Sequence, residues 1–224
     1  MMVKNLRSVL PDVIICLNGV LPESHIFHQL RPIPIAAADG AAIKLREKGI
    51  LPQYIIGDLD SLAHELSEWR QHKQIHIHEV SDQNQTDFEK TLDFIIEQHC
   101  DSALILGMHG GEFDHTLNNW SILIRYGRRK NLAVYEAGKM ALPIYESVQL
   151  TVRQGDMISL IPQPSAILTT QGLEWNLYNE ELALGSREGA RNQAVSETVT
   201  IYLHSGSLLL FLKTELPYML AVST

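Results

Sequence analysis

The sequence predicts an α/β protein, with an N-terminal doubly wound, mainly parallel sheet followed by a C-terminal all-β sandwich. Three observations predict it. Up to about residue 140, short apolar runs alternate with helix-periodic segments. Beyond about residue 145, short strand-like runs follow one another, separated by Gly, Pro, Ser and Asn, and no long helical pattern intervenes. The chain has 224 residues, 45% hydrophobic and 20% charged, enough for one large globular domain or two small ones. The two regions are assigned to residues 1–140 and 141–224.

The elements follow in order. "VIICLNG" (13–19) reads as a strand, and "PIAAADG" (34–40) as another that ends in Asp-Gly. "AAIKLREKG" (41–49) carries helix formers and a stopping glycine. "YIIGD" (54–58) is a strand, "LAHELSEWRQH" (62–72) a helix and "IHIHEV" (75–80) an alternating strand. In "TDFEKTLDFIIEQH" (86–99), Phe88, Leu92, Ile95 and Ile96 share one helical face. "ALILG" (103–107), "HTLNNWSILIRYG" (115–127) and "LAVYEA" (132–137) complete a strand–helix–strand unit. The later runs "VQLTV", "MISLI", "AILTT", "LALG", "TVTIYL" and "LLLFL" are read as separate short strands.

A net charge of −8 argues against a general binder of nucleic acid or of anionic membranes. An anionic small-molecule substrate stays open if a metal ion offsets the charge. The two cysteines, Cys16 and Cys100, form no metal or redox spacing, which points to a reducing compartment. The first apolar run is too short to span a membrane, and Pro11 and Asp12 at its front spoil it as a signal peptide. A soluble cytoplasmic protein is expected.

The chemistry is expected at the carboxyl ends of the parallel strands, where open α/β sheets bind ligands. "AADGA" places Asp39 there, "GDLDS" Asp58 and Asp60, "SDQNQTD" Asp82 and Asp87, and "GMHGGEFDH" Asp114 and His115. Acids from four strand ends on one edge repel each other unless cations lie among them. Magnesium, a hard ion often shared between carboxylates and phosphates, fits. In an extended segment, Asp58 and Asp60 face the same way and can share one ion; a simple helix cap is the structural alternative. "TDFE" is a capping box, with Thr86 as N-cap and Glu89 three residues on. "GMHGG" offers unobstructed N–H groups to phosphate oxygens, although it is neither a Walker A motif nor G-x-G-x-x-G. The pairs His25/His28 and His76/His78 are read as solvated, since no third ligand is spaced with them. Trp175, in "GLEWNL", is a core residue or a stacking platform for a flat ring.

Together, "ADGAA", "GDLDS", "DQNQTDFEK", "GGEFDHTLNN", "TTQGLEWNL" and "GSREGARN" occur in the order in which thiamine pyrophosphokinases carry them, and the chain resembles that family over nearly its whole length. The resemblance implies transfer of a pyrophosphoryl group from ATP to thiamine, with an α/β domain, a β-sandwich domain and a homodimer that binds thiamine at the subunit interface. It implies magnesium at Asp58, Asp60 and Asp87, and a further catalytic or positioning role for Asp114. It places Thr86, His115 and Asp39 at ATP, and Gln83, Trp175, Ser186 and Asn192 at thiamine, with Trp175 stacking on the pyrimidine from the partner subunit. Two positions depart from the pattern. Glu112 stands where the family usually has Arg, and Arg191 precedes Asn192 where a serine is usual. The rival readings are a phosphatase with Asp58 as nucleophile, and a non-catalytic thiamine or nucleotide sensor.

Overall fold

The computed structural model describes residues 2–222. The chain divides into two compact units, Pro11–Ala137 and a second made of residues 1–10 together with Gly138–Thr224. The boundary falls between Ala137 and Gly138, both with positive φ. The opening segment, read from sequence as part of the α/β region, forms β1 (Lys4–Val9) and belongs to the other unit.

The Pro11–Ala137 unit runs β2 (Val13–Cys16), α1 (Ser24–Gln29), β3 (Ile35–Ala38), α2 (Ala41–Glu47), β4 (Tyr54–Gly57), α3 (Leu66–Trp69), β5 (His76–Glu79), α4 (Asp87–Glu97), β6 (Ser102–Leu106), α5 (Phe113–Tyr126) and β7 (Asn131–Glu136). Its strands lie in the order β7-β6-β2-β3-β4-β5, and every pair is parallel. β2, β3 and β6 are buried along their whole length. That is why they read as unbroken Val/Ile/Leu/Ala runs rather than as alternating ones. β5 is an edge strand with exposed His76 and His78, which the edge position explains without a metal.

The helix expected over 62–72 is broken. A 3₁₀ turn at Asp60–Leu62 is followed by the single turn α3, and the chain bends at Glu65 (φ −118°). The bend buries Leu62 and Trp69 and sets Glu65 and Glu68 against Arg46, at 2.6 and 3.7 Å.

The sequence of strands reverses direction between β2 and β6. Here the two following loops are joined backbone to backbone. Leu17 N–H donates to Leu106 O (2.9 Å), Gly19 N–H to Gly107 O (3.0 Å) and Val20 N–H to His109 O (2.7 Å). A Cβ on Gly19 would lie 2.1 Å from His109 O, so only glycine permits this approach. Such a reversal opens a crevice for ligands.

The second unit contains β1 and then β8 (Lys139–Ile144), β9 (Val148–Thr151), β10 (Met157–Gln171), β11 (Glu180–Ala183), β12 (Gly189–Gln193), β13 (Thr198–Lys213) and β14 (Met219–Val222). β1 pairs antiparallel with β14 and parallel with β9. Four runs read as separate strands are two long ones, β10 and β13, paired with each other. β13 also pairs with β9 through its first part and with β8 through its last. The interruptions that suggested strand ends are a bulge. Between Pro162↔Leu208 and Ala166↔Gly206, β10 takes four steps against two on β13, and prolines are tolerated at such a bulge. Gly206 has φ +83°, and a Cβ there would lie 2.1 Å from Ser165 O. Gly206→Ala is therefore expected to destabilise the protein by about 2–3 kcal/mol, read as a lowered urea midpoint. Among the described residues, no helix is long and apolar enough to cross a membrane.

Candidate active site

In the α/β unit, three acids converge. Asp39 directly follows β3, Asp58 directly follows β4, and Asp87 opens α4 after β5. Because β3 and β4 are hydrogen-bonded neighbours and β5 is next in the sheet, their ends are brought side by side. One carboxylate oxygen from each of the three lies within 4.8 Å of the others.

Gly57 makes this possible. Its φ is +157°, and a Cβ there would lie 2.8 Å from Asp39 Cβ and 3.2 Å from Asp87 Oδ1. Asp39 has a φ of 37° and is held by its N–H, which donates to Ile56 O at 2.7 Å. Positive φ at a non-glycine residue is costly and concentrates at functional sites. Asp39 is 4% exposed, and its Oδ1 has no hydrogen-bond partner among the described residues.

Lys90, one turn into α4, is 3% exposed and lies among these acids. Its Nζ donates to Asp58 Oδ2 at 3.0 Å and to Asp87 Oδ1 at 3.1 Å. Burial opposes ionisation of Asp58, yet the hydrogen bonds from Lys90 and from the Asp60 N–H hold its carboxyl below the usual aspartate range. Asp87 goes the other way. Burial raises it, and the charges of Asp58 and Asp39 add to the rise, outweighing Lys90. Burial alone would lower Lys90, but its two carboxylate partners push it above the usual lysine range.

Asp60 lies outside this group of three. The expectation that it shares an extended face with Asp58 fails because the strand ends at Gly57. Leu59 is left-handed (φ 65°) and buried, which turns Asp60 into the first residue of the 3₁₀ turn. There its N–H lies 3.4 Å from Asp58 Oδ1. Asp114 also stands apart from the three acids. It is exposed on the first turn of α5, grouped with Glu112 and His115. Thr86 forms the expected capping box with Glu89, whose Oε2 accepts from the Thr86 N–H at 3.0 Å. The Gln83 side chain lies near Asp58 and adds a small part to the lowering of its carboxyl. Asp82 is occupied locally, accepting from Asn84 N–H at 2.8 Å.

A cleft of about 470 Å³ is lined by the β2 and β6 loops (Asn18, Gly19, Gly107, Met108), by Thr86, Asp58, Asp87 and Lys90, and by Glu112 and His115. It lies at the strand reversal, as the topology requires. Lys44 braces its wall, donating to Asn18 O at 2.5 Å and to Gly19 O at 3.0 Å.

In the β unit, Trp175 is 64% exposed on the loop after β10. The loop is held from beneath by buried polar groups. Asn192 Oδ1 accepts from Trp175 N–H (3.2 Å) and Gln193 N–H (2.8 Å), and its Nδ2 donates to Trp175 O (2.8 Å). Thr170 Oγ1 accepts from Leu177 N–H at 2.9 Å. Asn192 thus acts on the backbone that carries Trp175. Ser186 is exposed in the turn after β11.

Residues 32–135 match the family description "Thiamin pyrophosphokinase, catalytic domain", and residues 145–208 match "Thiamin pyrophosphokinase, vitamin B1 binding domain". The chain belongs to the thiamin pyrophosphokinase family. It is 33% identical to thiamine pyrophosphokinase 1 of Oryza sativa subsp. japonica, over 76% of this chain and 68% of that protein. It is 30% identical to thiamine pyrophosphokinase 1 of Arabidopsis thaliana, over 84% and 73%. The fold is shared with the crystal structure of thiamine pyrophosphokinase from Bacillus subtilis (TM-score 0.74, 22% identity, 91% of this chain and 100% of that one). The three-acid group and Lys90 fall within the part that matches the family's catalytic domain, and Trp175 and Asn192 within the part that matches its vitamin-binding domain.

Sequence reading missed Lys90 and Gly57. The signals were present. Lys90 lies three residues after Asp87, one helical turn along the same face, and Gly57 sits at the junction between a buried strand and the first acid.

Proposed function

We propose that the protein transfers the pyrophosphoryl group of ATP to the hydroxyl of thiamine, giving thiamine diphosphate and AMP. The observation that carries this reading is the meeting of three carboxylates, two of which line a cleft at the strand reversal together with a buried lysine, in a chain of this family.

The donor set fits a hard divalent cation. It is all oxygen, it is anionic, and it includes the buried oxygen of Asp39 that has no partner among the described residues. Asp39, Asp58 and Asp87 would hold a magnesium ion. Bound there, the ion would offset the charge of the triphosphate and of the group in transfer.

The chain itself positions the reactants. Thr86, His115 and the glycine-bearing loop after β6 (Gly107, Met108, Gly111) line the part of the cleft suited to phosphates. The thiamine hydroxyl oxygen attacks the β-phosphorus, and the bond from that phosphorus to the α–β bridging oxygen breaks. AMP leaves with the bridging oxygen, and the hydroxyl proton passes to a carboxylate. Asp87, at the wall of the cleft, is one candidate for that task. Asp114, exposed on α5, is the alternative acceptor. Positioning and charge stabilisation carry most of the rate in such transfers.

Thiamine recognition is assigned to Gln83, Trp175, Ser186 and Asn192, with Asn192 acting mainly through the Trp175 loop. A homodimer with shared sites agrees with the exposure of Trp175 and Tyr178 in one unit and of Phe113 and Leu117 in the other. Trp175→Ala is expected to raise the KM for thiamine about tenfold while leaving the KM for ATP unchanged, as loss of a stacking surface requires. Equal changes in both constants would count against a stacking role.

The direct experiment is incubation with ATP, magnesium and thiamine. Formation of AMP and thiamine diphosphate in equal amounts supports transfer. Release of free phosphate would support a phosphatase, and tight binding with no AMP would support a sensor.

A further inference from the structure

Lys90 has no part in the transfer just described, and packing does not require it. The apolar face of α4 is carried by Phe88, Leu92 and Ile95, all buried. A methionine would fill the same space without the cost of burying an ammonium. Instead, a lysine that is 3% exposed spends its hydrogen bonds on Asp58 and Asp87, two of the three carboxylates assigned to the cation.

We propose that Lys90 is an exchangeable counter-ion that couples metal binding to nucleotide binding. The inference rests on the assignment of the cleft to a nucleoside triphosphate. With the acids ionised, the three carboxylates and the ammonium carry a net charge of −2. A divalent ion entering alone competes with Lys90 for the carboxylates of Asp58 and Asp87. It would leave a buried ammonium short of acceptors and facing a second cation, which is unfavourable. A triphosphate removes that obstacle. Lys90 lines the same cleft as Thr86 and His115, so phosphate oxygens entering there replace the carboxylate oxygens that the metal takes. Metal alone is then held weakly, and metal and triphosphate together are held tightly. By linkage, each tightens the other by the same factor.

The test is a titration of the whole protein with manganese, followed by electron paramagnetic resonance, with and without α,β-methylene-ATP, which cannot be cleaved at the bond in question. In the unmodified protein, the analogue is expected to tighten manganese binding by at least about tenfold. In Lys90→Met, manganese alone is expected to bind about tenfold tighter than in the unmodified protein, and the enhancement by the analogue is expected to shrink below about threefold. Manganese binding alone that is no tighter in Lys90→Met, or an unchanged enhancement, overturns the proposal. Circular dichroism checks the fold, and Lys90→Arg decides the matter if the methionine variant unfolds. The arginine keeps the charge and should preserve the enhancement; tighter binding of manganese alone in that variant overturns the proposal. If the unmodified protein fails to bind α,β-methylene-ATP, the nucleotide assignment falls and this inference with it. Nucleotide binding without coupling overturns the inference alone.

Discussion

Asp58→Asn is expected to lower turnover about a thousandfold while leaving the protein folded. Asp58 belongs to the acid group and is held in its ionised form by Lys90 and by the Asp60 N–H against the cost of burial. Asparagine keeps its shape but supplies no charge to a cation or to the transferred group. The fold should survive because Lys90 keeps Asp87 as a partner at 3.1 Å, and because removing one acid also relieves its repulsion with Asp87. The same change alters the dependence of stability on pH. A carboxyl held below its ordinary 3.8 contributes stability that is complete above 3.8 and is lost as pH falls through the folded value. The acid limb of the stability profile should therefore flatten in the variant. Turnover within about tenfold of normal would remove Asp58 from the mechanism.

Gly57→Ala is expected to have the second largest effect, on a residue that touches no substrate. The added methyl would lie 2.8 Å from Asp39 Cβ and 3.2 Å from Asp87 Oδ1, both in the acid group, and the first of these distances requires something to shift. The backbone at φ +157° adds to the strain. Displacing the acids by even about 1 Å costs about a hundredfold in rate, and the strain should lower stability by about 1–3 kcal/mol. Steady-state kinetics and a urea titration of the same variant read both. Normal kcat with lowered stability would show that the acids need not stay in this arrangement.

Much of the fold was legible because burial leaves a direct trace in composition. β2, β3 and β6 are covered on both faces and so appear as apolar runs. α4 is covered on one face, so Phe88, Leu92 and Ile95 recur at helical spacing. What was not legible depended on pairing between distant residues. Nothing within "KNLRSV" says that β1 pairs with β14 and β9. Nothing in "PQPS" says that β10 continues through a bulge, because that depends on Gly206 in another strand. The site was legible in part for the same reason. The acids at strand ends announce themselves, since a carboxylate following a buried strand needs an explanation. Which of them meet is decided by backbone angles at Asp39, Gly57 and Leu59, and these leave Asp60 outside the group of three. Lys90 was hidden among ordinary helix residues because burial of a lysine is set by its partners.

The proposed function requires that three acids from separate strand ends jointly hold the ion that carries the triphosphate. The most direct measurement is the anomalous scattering of manganese in crystals grown with α,β-methylene-ATP. The expected result is a manganese ion bound to oxygens of Asp39, Asp58 and Asp87 and to the triphosphate at once. Manganese found on the triphosphate alone, with Lys90 still bridging Asp58 and Asp87, would contradict it.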